Sequence, residues 1–284
     1  MSGSISLEGL RVALVGAGGK MGCRITDNFV TLPITVDYLE VSDGGLARLR
    51  ARNVRVSDAA TAVPRADVLI LAVPDVSMGA TARDIVPRMK SGALLMTLDP
   101  AAPLDGQVPS RTDIGCVVAH PCHPSVFNWE PSEQAFRDFY GGISAHQAAV
   151  VALMSGSEAD YALGVEMTRA MYAPVSRVHR VSLEQMAMLE PALVETLAQT
   201  CMEAVKEGYD RVVAAGVPAD AVRDFVLGHL RIQIAVLFGE VDGTFSDAAY
   251  KISARARGVL FKDDWQRIFE MPDIREQVRN ITTK

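Results

Sequence analysis

Apolar and polar positions follow two different periods along the 284 residues. Up to about residue 155, short apolar runs of strand length alternate with helical stretches; beyond about Ser157 the period becomes 3.6. The first run, Val12 to Val15, passes through a glycine-rich turn into a helix from about Met21 to Phe29. Ile34 to Glu40 alternates as a strand, followed by a helix from about Gly45 to Arg52 and a short strand from Asn53 to Val56. The run that starts at Ala66 is nearly all apolar, as in a parallel strand buried on both faces, and stops at Pro74, which cannot donate to a ladder. A helix from about Val76 to Met89, a strand from Ala93 to Leu98 ended by Asp99-Pro100, and a strand from Ile114 to His120 come next. Residues 126–142, with Phe127, Trp129, Phe136, Phe139 and Tyr140, read as an irregular excursion: a lid, an oligomer contact or plain packing. Ala148 to Met154 closes the region as a strand. Strands that alternate with helices predict an α/β Rossmann-type, doubly wound parallel sheet over residues 1–155. Residues 156–284 are predicted to form an all-α C-terminal domain.

In that second region Glu158 to Met171 is a helix, and residues 175–181 form a connection that includes a short strand. Ser182 and Gln185 make a capping box at the head of a long helical pattern running to about Ala215. Pro191 lies inside it and predicts a kink near Glu190. On a 100° wheel, Met186, Ala187, Leu193, Val194, Leu197, Ala198 and Cys201 form one apolar stripe, and Glu190 falls in its middle. A carboxylate buried there requires a metal, a cation, a hydrogen-bond network or a raised pKa, so Glu190 is a site candidate beside the alternative of a structural network. The next helix, Ala219 to about Glu240, places His229 on a face shared with Val222, Phe225, Val226, Ile232 and Val236. His229 is either a satisfied core histidine or a third catalytic candidate. Lys251, Arg255 and Arg257 on a further helix suit either a solvated face or a substrate carboxylate. Ile274 to Lys284 is a tail or docking segment.

The net charge of −6 argues against nucleic acid as a partner. Cys23, Cys116, Cys122 and Cys201 form no CxxC pair, which fits a reduced, cytoplasmic protein. No apolar run reaches membrane-spanning length, and Met1 to Ser6 are too polar for a leader peptide. The apolar-faced helices of the second region predict a homodimer.

The glycine turn carries the first chemistry. Gly16, Ala17, Gly18, Gly19, Lys20, Met21 and Gly22 follow a strand and open a helix, the setting of a dinucleotide pyrophosphate site. The loop is one residue longer than the plain GxGxxG pattern. Glu40, at the end of the next strand, stands where an acidic residue holds ribose hydroxyls and repels a 2′-phosphate, which selects NAD; Asp43 competes for that role. Val73, Pro74 and Asp75, at a strand C-terminus, are predicted to border the cofactor. His120-Pro-Cys-His-Pro124 ends the last parallel strand and offers histidines for acid/base work or metal ligation. His120 is favoured; joint ligation with His123 requires a turn between them.

The glycine turn, Ala72-Val-Pro-Asp75, His120-Pro-Cys-His-Pro124 and Glu184-Gln-Met-Ala-Met-Leu-Glu-Pro191 together resemble the hydroxyacid dehydrogenase superfamily with a phosphogluconate-dehydrogenase-like C-terminal domain, and within it the D-apionate oxidoisomerase family. The resemblance implies NAD-dependent oxidation of a branched sugar acid coupled to a carbon shift. Such a shift benefits from a divalent metal, zinc or magnesium, that orients adjacent oxygens. His120 and Glu190 are then the expected metal ligands in the interdomain cleft, or, without metal, a base and its proton relay. A simple NAD-dependent 2- or 3-hydroxyacid dehydrogenase, decarboxylating or not, shares the same cofactor loop. A nucleotide-sensing module without catalysis is the reading from outside enzymology.

Overall fold

Seven strands form one sheet in the order β2-β1-β3-β4-β5-β6-β7. They are β1 (Arg11–Val15), β2 (Thr35–Leu39), β3 (Val68–Leu71), β4 (Leu94–Thr97), β5 (Gly115–Pro121), β6 (Gln147–Ser155) and β7 (Val175–Arg180). The computed structural model describes residues 5–283. The first four residues of the expected polar start, and Lys284, lie outside the described residues.

β1 to β5 are mutually parallel, as the buried apolar runs predict. β6 runs antiparallel to β5, and β7 parallel to β6. The sheet is therefore mixed. The link between β5 and β6 carries only the four-residue helix Glu133–Phe136, too little for the crossover that a parallel return needs. The strand expected at Asn53 to Val56 reduces to one parallel bridge between Val56 and Tyr38. Asn53 holds φ 57°, in the left-handed turn that closes the preceding helix, and so cannot extend a strand.

Alternation along the strands fills a core on each face. Ala13, Leu69, Leu71 and Leu95 pack with Met78, Ala82 and Ile85 of the helix Asp75–Ile85 on one side. Val12, Leu14, Ile70, Met96 and Val117 pack with Ile25 and Phe29 of the helix Lys20–Phe29 and with Met167 and Met171 of the helix Glu158–Met171 on the other. Each large side chain so buried contributes roughly 1.5–3 kcal/mol.

The chain divides into two compact units, residues 1–190 with 275–284, and residues 191–274. The change of period near 155 is real, but it is not where the units part. Met167 and Met171 are fully buried against the sheet, and β7 extends it, so residues 156–190 stay with the first unit. Residues 275–284 return to that unit, where Val278 is buried and Thr282 Oγ1 donates to Asp105 Oδ2 at 3.1 Å.

The capping box at Ser182 and Gln185 is present. Beyond it, Met188–Gln199 is π-helical, with Pro191 inside. This overturns the wheel drawn at 100° per residue, because i→i+5 bonding rotates each side chain away from its 3.6-period position. Met186 and Ala187 are buried, whereas Leu193 and Val194 are exposed. The second unit is helical, with Thr200–Ala214, Ala219–Leu237 and Asp247–Leu260 as its main elements. No helix among the described residues is long and apolar enough to cross a membrane, and all four cysteines are free thiols.

Candidate functional site

The C-terminal ends of β4 and β5 lie side by side in the sheet, and each delivers a functional group. Asp99 follows β4 by two residues. Its Oδ1 accepts the N–H of Ala101 at 2.7 Å, at the start of the single turn Ala101–Leu104. His120 stands near the end of β5. Glu190 arrives from the helix that starts at Leu183, pinned to the sheet by Met186, which packs on Val118, Val150 and Ala152. One ligand atom from each of Asp99, His120 and Glu190 lies within 4.8 Å of the other two. All three residues belong to the first unit.

The neighbours of His120 fix its tautomer. Nδ1 sits 2.8 Å from the carbonyl oxygen of Leu98. A carbonyl only accepts, so Nδ1 carries the hydrogen. In the neutral ring Nε2 then has its lone pair free, and it lies 3.3 Å from Oε2 of Glu190. Two lone pairs at that distance repel unless a proton or a cation sits between them. Burial pushes Asp99 above the ordinary carboxylate range, and Glu190 adds to this; the Ala101 N–H and His120 oppose it. Asp75, at the head of the helix after β3, is pushed up to about 6, chiefly by burial and then by Asp99. An imidazole nitrogen and one carboxylate from adjacent strand ends, with a second carboxylate from a helix, suit a divalent metal, with positions left for water or substrate oxygens. The donor chemistry therefore fits the metal expected from sequence, with Asp99 as a third candidate donor.

Asp99 was missed from sequence because Asp-Pro reads as a strand terminator. The available signal was its place, a carboxylate at the C-terminal edge of a parallel strand, where α/β sheets bind ligands. His123 does not join the three-residue cluster. The turn required between the histidines exists, with His123 at φ 59°, but its Nδ1 is committed to the carbonyl of Tyr140 at 2.8 Å. Its ring stands edge-on to His120 at 6.3 Å. His229 belongs to the second unit, where Nδ1 bonds Phe225 O at 2.8 Å and the ring stacks on Phe225 at 4.0 Å. It is exposed there.

The glycine turn takes a form that explains its extra residue. Gly19 N–H donates to Gly16 O at 2.9 Å, closing a β-turn before the helix begins at Lys20. Gly22 must be glycine, since a Cβ would overlap the carbonyl of Gly16. At Gly18 the space is filled by the backbone of Gly45 rather than kept for a ligand. Gly18 N–H donates to Glu40 Oε2 at 3.0 Å, and Arg48 Nε donates to Gly18 O at 2.6 Å. The other Glu40 oxygen accepts Val41 N–H, Ser42 N–H and the Ser42 hydroxyl at 2.8–2.9 Å. Burial alone pushes this carboxyl up, but these donors hold it below the usual range. Glu40 is thus first a brace of the loop.

A cavity of about 570 Å³ opens beside the turn. Gly16, Gly19, Glu40, Val73, Pro74 and Arg48 line it. Ala17, Gly18, Lys20, Met21, Gly22 and Asp75 do not. Ala17 and Gly22 instead pack inside, beneath the turn.

Comparison with known proteins places these features in a family. Residues 128–282 match the family described as phosphogluconate dehydrogenase (decarboxylating) C-term. A D-apionate oxidoisomerase from Rhizobium rhizogenes is 45% identical over 272 residues, covering 95% of this chain and 99% of its own length. One from Cupriavidus necator is 42% identical, covering 96% and 99%. A crystal structure of a semialdehyde dehydrogenase NAD-binding protein from Cupriavidus necator, in complex with calcium and NAD, superposes with a TM-score of 0.93 at 42% identity, covering 96% of this chain and 99% of its own. The chain therefore belongs to the D-apionate oxidoisomerase family, and its C-terminal half to the phosphogluconate dehydrogenase (decarboxylating) C-terminal family.

Proposed function

We propose that this protein oxidises D-apionate with NAD and isomerises the product to 3-oxo-isoapionate, at the cluster of Asp99, His120 and Glu190. The cluster is the observation that carries the reading. It offers one base with a defined free lone pair and two carboxylates, on the strand edge that also holds the dinucleotide turn.

His120 Nε2 takes the proton of the C2 hydroxyl as the C2 hydride departs. Leu98 O stabilises the ring that results, because it already accepts the Nδ1 hydrogen. Glu190, 3.3 Å away, accepts the proton from His120 and frees it for a second transfer. His120 then removes the proton of the neighbouring tertiary alcohol, so that a substituent migrates to the new carbonyl carbon, whose oxygen regains a proton. NAD, held at the Gly16–Gly22 turn and the cavity lined by Glu40, Val73 and Pro74, would supply the hydride acceptor. A divalent metal held by Asp99, His120 and Glu190 would supply Lewis acidity toward the adjacent oxygens in place of this base-and-relay role of His120 and Glu190.

The second unit supports a homodimer. Phe225, Leu227, Ile232 and Leu237 on one helix and Ile252 and Leu260 on another are exposed in the single chain, more apolar surface than one copy covers. Four free thiols suit a reducing cytoplasm.

Carbon NMR of the products formed from D-apionate and NAD tests the reaction. A rearranged keto acid supports it. An unrearranged keto acid, a decarboxylated product or no turnover overturns it.

A further inference from the structure

The helical unit of residues 191–274 has almost no core of its own. Its buried residues in the single chain are Pro191, Ala192, Val222, Ala235 and Ile274. The helices Thr200–Ala214 and Asp247–Leu260 bury none of theirs. A domain of this length holds together only by removing most of its apolar surface from water. The helix Ala219–Leu237 is apolar over more than half of its circumference, wider than the roughly 100° stripe of a surface helix. Yet Phe225 is 68% exposed and Ile232 49%. Open cavities of about 530 Å³ beside Phe225 and about 380 Å³ beside Leu227 leave its packing on Thr200–Ala214 unfilled.

The residues on the exposed side of Ala219–Leu237 form a self-complementary pattern. Small residues recur at every seventh position, Ala221, Gly228 and Ala235, and the first two are exposed. Glycine inside a helix weakens it, and a Cβ at Gly228 would meet nothing within 4 Å, so the single chain makes no use of that space. One flank of this seam is apolar, with Phe225 and Ile232 seven residues apart. The other is charged, with Asp224 and Arg231 at the same spacing. His229 steadies the apolar flank, since Nδ1 donates to Phe225 O at 2.8 Å and its ring stacks on Phe225 at 4.0 Å. No ion pair among the described residues involves Asp224 or Arg231. A two-fold axis that lays an identical helix antiparallel across the seam sets each flank beside its own copy with the chain direction reversed. Phe225 then meets Ile232 of the second copy, and Asp224 meets its Arg231. A parallel copy would set Asp224 against Asp224.

We propose that the helix Ala219–Leu237 crosses its counterpart in a second copy antiparallel at Gly228, and that the two helical units close one shared core around this seam. The proposal rests on the homodimer reading and adds to it the seam, the direction and the pairings. The charges select a second copy as the occupant, because Asp224 and Arg231 answer each other only across a two-fold axis. The apolar side chains left exposed on the unit amount to on the order of 1,000 Å² per copy, what an obligate homodimer covers. A surface of that size must be covered in every molecule, and a second copy is present in equal number.

Charge exchange on the full chain tests the seam without emptying a core. Sedimentation velocity reads the dimer Kd for wild type, Asp224→Arg, Arg231→Asp, the double exchange and Gly228→Leu. Each single exchange sets like charges against one another twice per dimer and is expected to raise Kd about 10- to 100-fold. The double exchange is expected to return it to within about threefold of wild type, since the two sites couple directly. Gly228→Leu would strengthen an exposed helix; on the seam it overpacks the crossing and raises Kd about 100-fold. Single exchanges that dimerise as wild type does, or a loss that the double exchange does not rescue, overturn the seam while the homodimer reading stands. A wild type that is monomeric at micromolar concentration removes both.

Discussion

His120 and Glu190 face each other across 3.3 Å, Nε2 to Oε2, while the other nitrogen of the ring is tied to the carbonyl of Leu98. The backbone thus chooses which nitrogen works. His120→Asn keeps an amide near the Nδ1 position but removes Nε2. We expect kcat to fall about 100- to 10,000-fold, the usual range for a lost general base, with the Kd of NAD retained. NADH absorbance and calorimetry check the pair of values.

Asp99 was absent from the residues picked by sequence, and the metal-binding part proposed for it is separable from catalysis. Asp99→Asn should weaken binding of a divalent ion about 10- to 100-fold or more. Metal titration by calorimetry on the chelator-stripped protein reads this directly. An affinity equal to wild type would remove Asp99 from the ligand set.

Gly18→Ala tests the glycine turn. A Cβ at this position meets the backbone of Gly45. Two helix-bearing segments must then separate, which costs about 1–3 kcal/mol as overpacking does. The melting temperature should drop, and NAD should protect the variant less than the wild type.

Asp37 gives a pH dependence whose sign is fixed. Its burial alone would push the carboxyl up, but Arg65 forms a bidentate pair with it at 2.7–3.1 Å and the Ser57 hydroxyl donates at 2.7 Å, so the net effect lies downward. A carboxylate held low stabilises the fold above its unfolded pKa of about 3.9, and this is lost as pH falls through the folded value. Asp37→Asn should therefore destabilise the protein by about 1.5–3 kcal/mol near pH 7, and the difference from wild type should shrink below about pH 4. Urea melts at pH 7 and pH 3.5 measure both.

Ile252→Glu combined with Leu260→Glu places charges on the exposed apolar helix Asp247–Leu260. Light scattering should show a dimer for wild type and a monomer for the double variant at micromolar concentration. A monomeric wild type would refute the dimer.

The parallel half of the sheet was legible because fully buried strands leave continuous apolar runs, as in Val68–Leu71. The direction of β6 was not, because periodicity carries no strand sense; it followed from the missing crossover helix between residues 122 and 146. Glu190 was found for a reason that partly failed. The apolar stripe around it dissolves in the π-helix, yet Glu190 remains only partly exposed, because Met186 anchors its helix to the sheet one turn earlier. The contact between His123 and Tyr140 was hidden by distance in sequence. Only the return of the 126–146 excursion onto the helix Lys20–Phe29 makes it.

Glu40 carries a lesson for anyone who would retool this protein for a phosphorylated dinucleotide. Cofactor swaps commonly begin by removing the acid at the end of β2. Here that acid is also the keystone of the turn, holding the N–H groups of Gly18, Val41 and Ser42 at once. Its removal alone would orphan three donors and loosen the turn before any new specificity was gained. A successful redesign has to replace the brace and the recognition group together, with Arg48, already bonded to the turn and lining the cavity, as the natural second site.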